Sequence, residues 1–487
     1  MAEPINKERN FKWLILSVII LKVLMDGLDG SMLNIALPSI GRDLGVASGS
    51  IVWIVSVYSI MTAVTVLFFG RLGDIVGKTR FYLIGIAIYA FSTLFSGLAR
   101  SFPMLVAARA IQAIGAGCTM ANSQGIITMT FPEKQRGTAL GLYGGAISIG
   151  SLAGPTLGGL IVASMNWRYI FLLKLPLAAA ALILGLKFFP RDVPKNKEKM
   201  DYAGAGFFVT ALAPLLYALQ QGSSAGFGSL PVLLSLIVSA ASFAVFFLLQ
   251  SRRAMPLLDL KLFKDPYYSI GVLNLFILAF TNAFRNILFP YYMQGVLGMG
   301  AERSGLFMSI APIITLAISP ISGFVSDRIG GEKLSLAGQL IHCVGMALTA
   351  TLTQLSGVGM MALFFCVVSF GSAIFSSPNN SLIMSSVPRD KLGIGGSAST
   401  AIRNTGTSVG VAFATLALYG GMSRYLGYTV TDYVKGSGMD GAFVLSMRDA
   451  HLMAAGLCAL GCAASVLRLI LGHRRRRASE ALREGSR

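Results

Sequence analysis

Time after time this chain runs for about twenty residues with almost no charge, as in "IVWIVSVYSIMTAVTVLFFG" from Ile51 to Gly70. A hydrocarbon layer of ~30 Å is crossed by about 20 apolar residues of helix, because the helix satisfies every backbone polar group within its own segment. About fourteen such runs can be counted, near 13–37, 51–70, 81–99, 103–126, 138–163, 168–189, 203–220, 230–250, 267–292, 304–325, 334–354, 358–380, 398–420 and 450–472. They predict an all-α integral membrane fold. Composition agrees: charged residues make up 13% of the 487 and the mean hydropathy is +0.69, where soluble chains carry roughly 25% charge.

The formal charge of +19 points to nucleic acid only if the basic groups share one soluble face. Here they punctuate apolar runs and act as topology signals. An even number of spans puts both ends on one side. About 26 Lys and Arg fall in the termini and even-numbered loops, against about seven in the odd-numbered loops. That asymmetry predicts a multi-pass cell-membrane protein with both termini cytoplasmic. "HRRRR", from His473 to Arg477, then reads as a stop-transfer and lipid-surface anchor. The first apolar stretch is long and leads straight into further spans, so it is expected to stay attached as an anchor. Cys118, Cys343, Cys366, Cys458 and Cys462 lie in apolar runs without metal-ligand spacing, which predicts buried small side chains and no metal site.

"GRLGDIVGKT", Gly70 to Thr79, looks like a phosphate-binding loop, but Gly73 stands four residues before Gly77, one short of the G-x-x-x-x-G-K-[ST] register. A nucleotide is therefore not expected. The stretch has another property: it is repeated. In "GFVSDRIGGEK", Gly323, Asp327 and Gly330 match Gly70, Asp74 and Gly77, with Ser326 for Gly73. The offset of about 250 residues equals a six-helix half plus a two-helix insertion. The predicted organisation is a six-helix bundle over 1–200, an insertion over 201–260, and a second six-helix bundle with a basic tail over 261–487.

These residues carry a resemblance across nearly the whole chain. The Gly70–Thr79 stretch resembles the signature loop between helices 2 and 3 of the major facilitator superfamily. "LDGSMLNIALPSI" (Leu28 to Ile40), "LVAARAIQAIGAGC" (Leu105 to Cys118) and "GGAISIGSLAGPTLGGLI" (Gly144 to Ile161) are similar to the first-, fourth- and fifth-helix motifs of its fourteen-helix drug:proton antiporter branch. The resemblance implies two six-helix bundles with a two-helix insertion and a latch of Gly70, Gly73, Asp74, Gly77, Arg80 and Asp327 holding the cytoplasmic side shut. It also implies an antiporter pivot at Gly150, Gly154, Pro155, Gly158 and Gly159. On chemistry alone, the loop glycines allow a tight turn and close helix approach, and Asp74 can cap the following helix. The fifth-helix glycines and Pro155 remove side-chain bulk and one backbone donor and predict a bendable face that another helix can approach.

Ionisable residues inside spans are expensive and so are functional candidates. Asp26 and Asp29 are the acidic ones. Lys22, Arg109, Lys174, Lys187, Arg285, Arg403 and Arg468 are the basic ones, of which Lys187, Arg403 and Arg468 are expected to snorkel from cytoplasmic ends. At 1.5 Å per residue, Asp29, Arg109, Lys174 and Arg285 each fall roughly 10–12 Å from the outer end of a helix, so these four are predicted to face one another in a central cavity. Lys22, Asp26 and Asp29 form one helical stripe. Lys22 holds Asp26 ionised, Asp29 is the expected proton carrier, and Arg109 is its counter-ion and gate. Lys22, Asn34, Gln112, Lys174, Asn282, Arg285 and Tyr291 are the candidate substrate-cavity residues, with Tyr58, Phe284, Tyr292 and Met293 as a possible greasy lining.

The expected function is proton-coupled export of small amphipathic molecules. Protons are the coupling ion, no cofactor is needed, and membrane lipids are the surroundings of a monomer that binds neither nucleic acid nor nucleotide. Lys174, where this branch usually carries Asn, and the additional Lys22, Asp26 and Arg285 depart from the family pattern. They make the cavity positive and raise an alternative cargo: an anionic lipid, fatty acid or acidic metabolite. His342, His451 and His473 sit in no triad or ligand pattern, and an enzyme is not expected.

Overall fold

The computed structural model describes residues 3–46, 51, 53–190, 201–253, 258–388, 392–430, 433 and 438–484; the side chains of residues 3–10 and 473–484, of Asp74, of Asp327 and of a few others lie outside the described set. The described residues form helices and connections, without a strand. In chain order the helices are α1 Glu3–Leu44, α2 Trp53–Val76, α3 Lys78–Gly97, α4 Phe102–Thr130, α5 Glu133–Ser164, the short α6 Tyr169–Leu172, α7 Leu175–Phe188, α8 Tyr202–Ala225, α9 Leu230–Arg252, α10 Pro266–Tyr291, α11 Ala301–Met308, α12 Ile310–Ile329, α13 Gly331–Thr349, α14 Val358–Ser385, α15 Leu392–Leu426 and α16 Asp440–Glu484.

Eleven helical segments among the described residues are long and apolar enough to cross a membrane. α1, α13 and α15 fall outside that group because polar residues interrupt them: Lys22, Asp26 and Asp29 in α1, Gln339 and His342 in α13, Arg403 and Asn404 in α15. Each nevertheless packs along another helix, α1 on α5, α13 on α14 and α15 on α10.

The packing repeats. The pairings α1–α5, α2–α4, α3–α4, α3–α7 and α1–α7 return as α10–α15, α12–α14, α13–α14, α13–α16 and α10–α16. α8 and α9 pack on each other, and α8 lies against α2 of the first half and α15 of the second. The repeated loop is also geometrically the same in both copies. Gly77 (φ 132°, ψ 124°) and Gly330 (φ 96°, ψ 131°) occupy the same left-handed junction between two helices, a conformation open to glycine at little cost. In each copy the glycine N–H closes on the carbonyl four residues back, Gly73 or Ser326, at 3.0 Å.

α2 runs unbroken to Val76, so the expected turn across Gly70–Gly77 contracts to Gly77 alone. Gly73 serves close approach instead: a Cβ there would lie 1.9 Å from Asn122 Oδ1 of α4. α3 starts from Gly77 as its N-cap residue; the side chain of Asp74, predicted to cap this helix, lies outside the described residues. The latch contacts of Asp74 and Asp327 lie outside the described residues. Arg80 is exposed and Gly70 buried.

Three of the α5 glycines allow the close helix approach expected of a small-residue face. A Cβ at Gly150 would meet Leu24 O at 2.4 Å, and one at Gly158 would meet Met32 Cα at 2.9 Å. At Gly154 it would meet Ser31 Oγ at 1.8 Å, while Gly159 has open space. The glycine face is therefore seated on α1 of its own half. Gly27 of α1 reciprocates, since its Cβ would lie 2.7 Å from Ile147 O. On another face of α5, Leu152 O accepts from Ser309 Oγ at 3.2 Å, and the Pro155 carbonyl lies 3.4 Å from a Cβ at Gly305 of α11, so this side meets the second half.

Candidate functional site

The tight α1–α5 seam sets α1 deep in the first half, and Asp29 is 0% exposed. Two cations converge on its carboxylate. Arg109 of α4 donates from Nη1 to Oδ2 at 2.5 Å, and Lys174 donates from Nζ to Oδ1. Lys174 reaches it from the break between α6 and α7, where it caps α7 just ahead of Pro176 in the first turn. Arg109 and Lys174 are 1% and 2% exposed. Arg109 also donates to Gln112 Oε1 at 2.6 Å and to Ile54 O of α2 at 3.4 Å, and its guanidinium lies 4.2 Å from the centre of the Tyr58 ring. Gln112 passes the network on to Thr93 of α3 at 2.9 Å. Lys22 pairs separately with Asp26 and lies 4.0 Å from the Tyr89 ring centre.

The cluster thus holds one carboxylate against two cations, a net +1 in a buried site. Removing one partner from such an arrangement typically costs about 3–5 kcal/mol, since it strands a buried charge. Chemically, the cluster can exchange a proton only by rearranging. A proton on Asp29 leaves two cations facing each other, and one of them has to leave or give up its own proton.

Arg285 lies elsewhere, and the predicted foursome is a threesome. Arg285 is on α10 of the second half, 8% exposed, donating from Nη1 to Ser369 Oγ at 3.2 Å and from Nε and Nη2 to Asn286 Oδ1 at 3.4 and 3.3 Å. The Phe365 ring centre is 5.3 Å away, and no carboxylate among the described residues reaches its guanidinium. The depth argument fixed its height but not its side of the molecule. Nor do the three triad residues line an open cavity, because each is buried by neighbouring helices.

Beside Arg285 stands a group that pattern reading passed over. His342 of α13 is 0% exposed, with Nε2 2.9 Å from Thr281 Oγ1 and Nδ1 2.9 Å from Ser372 Oγ and 3.1 Å from Val368 O. The carbonyl can only accept, so Nδ1 carries the hydrogen and Nε2 accepts from Thr281. Ser372 donates onward to Asn282 at 3.3 Å, which brings one predicted cavity residue into this network. A single His inside an apolar run was the available signal.

Asn34 is exposed and joins neither network, and Tyr291 is half-buried. Phe284, Tyr292 and Met293 are core residues, with Tyr292 OH donating to Thr353 O at 2.6 Å. Lys187 and Arg403 are exposed as expected of snorkelling groups. Arg468 is not: it is 1% exposed and donates to Asn379 Oδ1 at 3.0 Å, because α14 and α10 cover that stretch of α16.

Residues 19–415 match the Major Facilitator Superfamily. The chain belongs to that family. Riboflavin transporter RibZ of Clostridioides difficile (strain 630) is 31% identical over 459 residues, covering 92% of this chain and 96% of RibZ. Multidrug resistance protein Stp of Mycobacterium tuberculosis (strain CDC 1551 / Oshkosh) is 30% identical over 387 residues, 79% of this chain and 72% of Stp. Among solved structures, a bacterial homolog of the human lysosomal transporter Spinster superposes with a TM-score of 0.64 at 15% identity, covering 96% of this chain and 97% of that one. This family member is a multi-pass membrane transporter, not an enzyme, and its two polar networks occupy equivalent helices of its two halves.

Proposed function

We propose that this transporter is a proton-coupled antiporter that exports amphipathic small molecules across the cell membrane by alternating access, within the fourteen-helix drug:proton branch. The reading includes a 6+2+6 organisation over 1–200, 201–260 and 261–487, both termini in the cytoplasm, a monomer, and no cofactor besides the proton. One observation carries it: the wholly buried Asp29 shared by Arg109 and Lys174. An uncoupled carrier gains nothing from keeping three charges out of water, whereas a coupled one uses them as its proton-sensitive element. Here that element is the cluster and not Asp29 alone.

The test is flux in proteoliposomes with and without an imposed pH gradient. Wild type should concentrate substrate against the gradient. Asp29→Asn should lose that response while retaining substrate binding. A variant that still responds to the gradient as wild type does would reject Asp29 as the coupling group.

A second reading, export of an anionic lipid, fatty acid or acidic metabolite, is supported by Arg285, a buried cation with only neutral hydrogen-bond partners among the described residues. A flux panel containing a lipophilic cation, a fatty acid and riboflavin, the last because RibZ is named a riboflavin transporter, separates the two readings.

A further inference from the structure

Buried polar atoms without a partner among the described residues gather in one part of the second half. Five of them belong to Asn274 of α10, Gln339 of α13 and Arg468 of α16: Asn274 Oδ1, both polar atoms of the Gln339 amide, and Nε and Nη2 of Arg468. All three side chains are 1% exposed or less. Leaving such an atom unpaired is costly. Their other polar atoms are paired: Asn274 Nδ2 donates to Ser465 Oγ of α16 at 2.8 Å, and Arg468 Nη1 donates at 3.0 Å to Asn379 Oδ1 of α14, whose Nδ2 donates to Gly271 O of α10 at 3.0 Å.

The glycines show where the unpaired atoms point. A Cβ at Gly461 of α16 would lie 2.7 Å from Gln339 Nε2 and 2.9 Å from Asn274 Oδ1. A donor and an acceptor, both unpaired, therefore flank one glycine, no farther apart than two hydrogen bonds end to end. A Cβ at Gly271 would lie 3.1 Å from Arg468 Nη2. Gly271 is one turn before Asn274 on α10, and Arg468 one turn after Ser465 on α16, so the unpaired atoms continue in a line from Gln339 to Arg468. Beyond Arg468, the Tyr267 ring centre is 5.8 Å away, and Tyr267 OH and Glu332 flank Gly472 at the helix ends. In the other direction Gln339 stands one turn before His342, whose ring meets Thr281, two turns past Asn274.

Packing does not require the Gln339 amide. The offset that takes Gly77 to Gly330 takes Gly85 to Gly338 and Ile86 to Gln339. Both glycines press on the next helix, with a Cβ 2.8 Å from Gly115 O in the first half and 3.0 Å from Gly371 O in the second. The first half thus fills the Gln339 position with a core isoleucine. The partner set also selects the ligand. An anion would be repelled by Asn274 Oδ1, and a cation by the Arg468 guanidinium. Water both donates and accepts and needs about two to four polar partners, which Gln339, Asn274 and Ser465 supply.

We propose that α10, α13 and α16 bind a column of internal water in the second half, one molecule held between Gln339 and Asn274 beside Gly461 and further ones on Arg468. The column joins the His342 network to the helix ends around Tyr267 and Glu332, and so gives an otherwise sealed imidazole a path to solvent. It depends neither on proton coupling nor on the nature of the cargo.

The experiment is a cryo-EM map of the full chain in nanodiscs, at a resolution that shows ordered water, together with thermal unfolding of three variants in detergent. The map should show a peak within hydrogen-bond distance of both Gln339 and Asn274, and another on Arg468. Gln339→Met keeps the length of the side chain and removes its two polar atoms. If water links the pair, this variant strands Asn274 Oδ1 and should lower the melting temperature by about 2–4 °C. If the amide has no partner at all, the same change removes two unpaired atoms and raises it. Gly461→Ala and Gly461→Ser add the same Cβ, but the serine hydroxyl can take the place of the water, so the serine variant should melt at the higher temperature of the two. A map without the peak between Gln339 and Asn274, a Gln339→Met protein more stable than wild type, or a Gly461→Ser protein less stable than Gly461→Ala would each overturn the proposal.

Discussion

The two halves of this transporter place their polar residues on equivalent helices and use them for different chemistry. In the first half, α1, α3 and α4 supply Asp29, Thr93, Arg109 and Gln112, with Lys174 added from the α6–α7 break. In the second, the equivalent α10, α13 and α14 supply Thr281, Asn282, Arg285, His342, Ser369 and Ser372. One network is ionic and sealed. The other is built from neutral hydrogen bonds beside Arg285, which has no carboxylate partner among the described residues. A repeated backbone therefore does not repeat its electrostatics, and under the proposed function the first half carries the proton response and the second meets the cargo.

The largest test of that contrast is thermal unfolding of matched truncations in detergent. Asp29→Ala strands two buried cations and should cost about 3–5 kcal/mol. Thr281→Ala removes one neutral hydrogen bond to His342 and should cost about 1 kcal/mol. Equal losses would break the comparison. Adding Lys174→Asn to Asp29→Ala should recover part of the stability, because one stranded charge is gone.

The repeated loop offers a second, smaller test. Gly73→Ala puts a Cβ 1.9 Å from Asn122 Oδ1, whereas Gly323→Ala puts one 2.9 Å from Ser377 Oγ. The first should cost about 1–3 kcal/mol through overpacking and the second clearly less. Asn122→Ala should relieve the first. If both alanines behave alike, the two copies of the loop are equally loose and Asn122 holds nothing in place.

Arg285→Gln should leave stability nearly unchanged and weaken an anionic substrate about tenfold, close to 1.4 kcal/mol, as read by binding at constant pH. Unaltered affinity for both anions and cations would remove the second half from charge recognition.

The smallest effect lies at the C-terminal end of α1. Asp43 accepts from Trp167 Nε1 at 2.9 Å and Arg168 Nη1 at 2.8 Å, and these partners, the indole first, hold its carboxyl below the usual range. A depressed folded value gives stability that is present above the unfolded pKa of about 3.9 and is lost as pH falls through the folded one. The pair is exposed and screened, so Asp43→Asn should change stability by under about 1 kcal/mol. It should also flatten the acid limb of the unfolding curve, measured from pH 6 down to 2.

Much of this could be read before any coordinates. Apolar runs gave helix positions because lipid forces each crossing to satisfy its own backbone. The Gly77 and Gly330 repeat was visible because a left-handed junction accepts few residues other than glycine. Depth placed Asp29, Arg109 and Lys174 at one level, and burial then drove them together. What distance along a helix cannot supply is direction around it. Arg285 has the right height and belongs to the other half. Arg468 sits near the end of its apolar run yet is covered by α10 and α14. His342 matched no motif because its partners come from two helices, α10 and α14, far from it in sequence.

The glycine face of α5 has a mechanical consequence. At Gly27 and Gly150, α1 and α5 meet backbone to backbone, and at Gly154 and Gly158 the α5 backbone closes on Ser31 and Met32, so the two helices have no slack in which to slide. They form one stiff beam. α1 alone is 42 residues, about 63 Å long at 1.5 Å per residue, twice the ~30 Å layer it crosses. A tilt of about 10° would sweep a point 30 Å from the fulcrum through roughly 5 Å. Asp29 rides on one member of this beam, the contact with Ser309 is on the other, and Gly305 is met by both, by Ile35 of α1 and Pro155 of α5. A displacement of ångström size at the carboxylate is therefore delivered, undamped, to the contact between the halves.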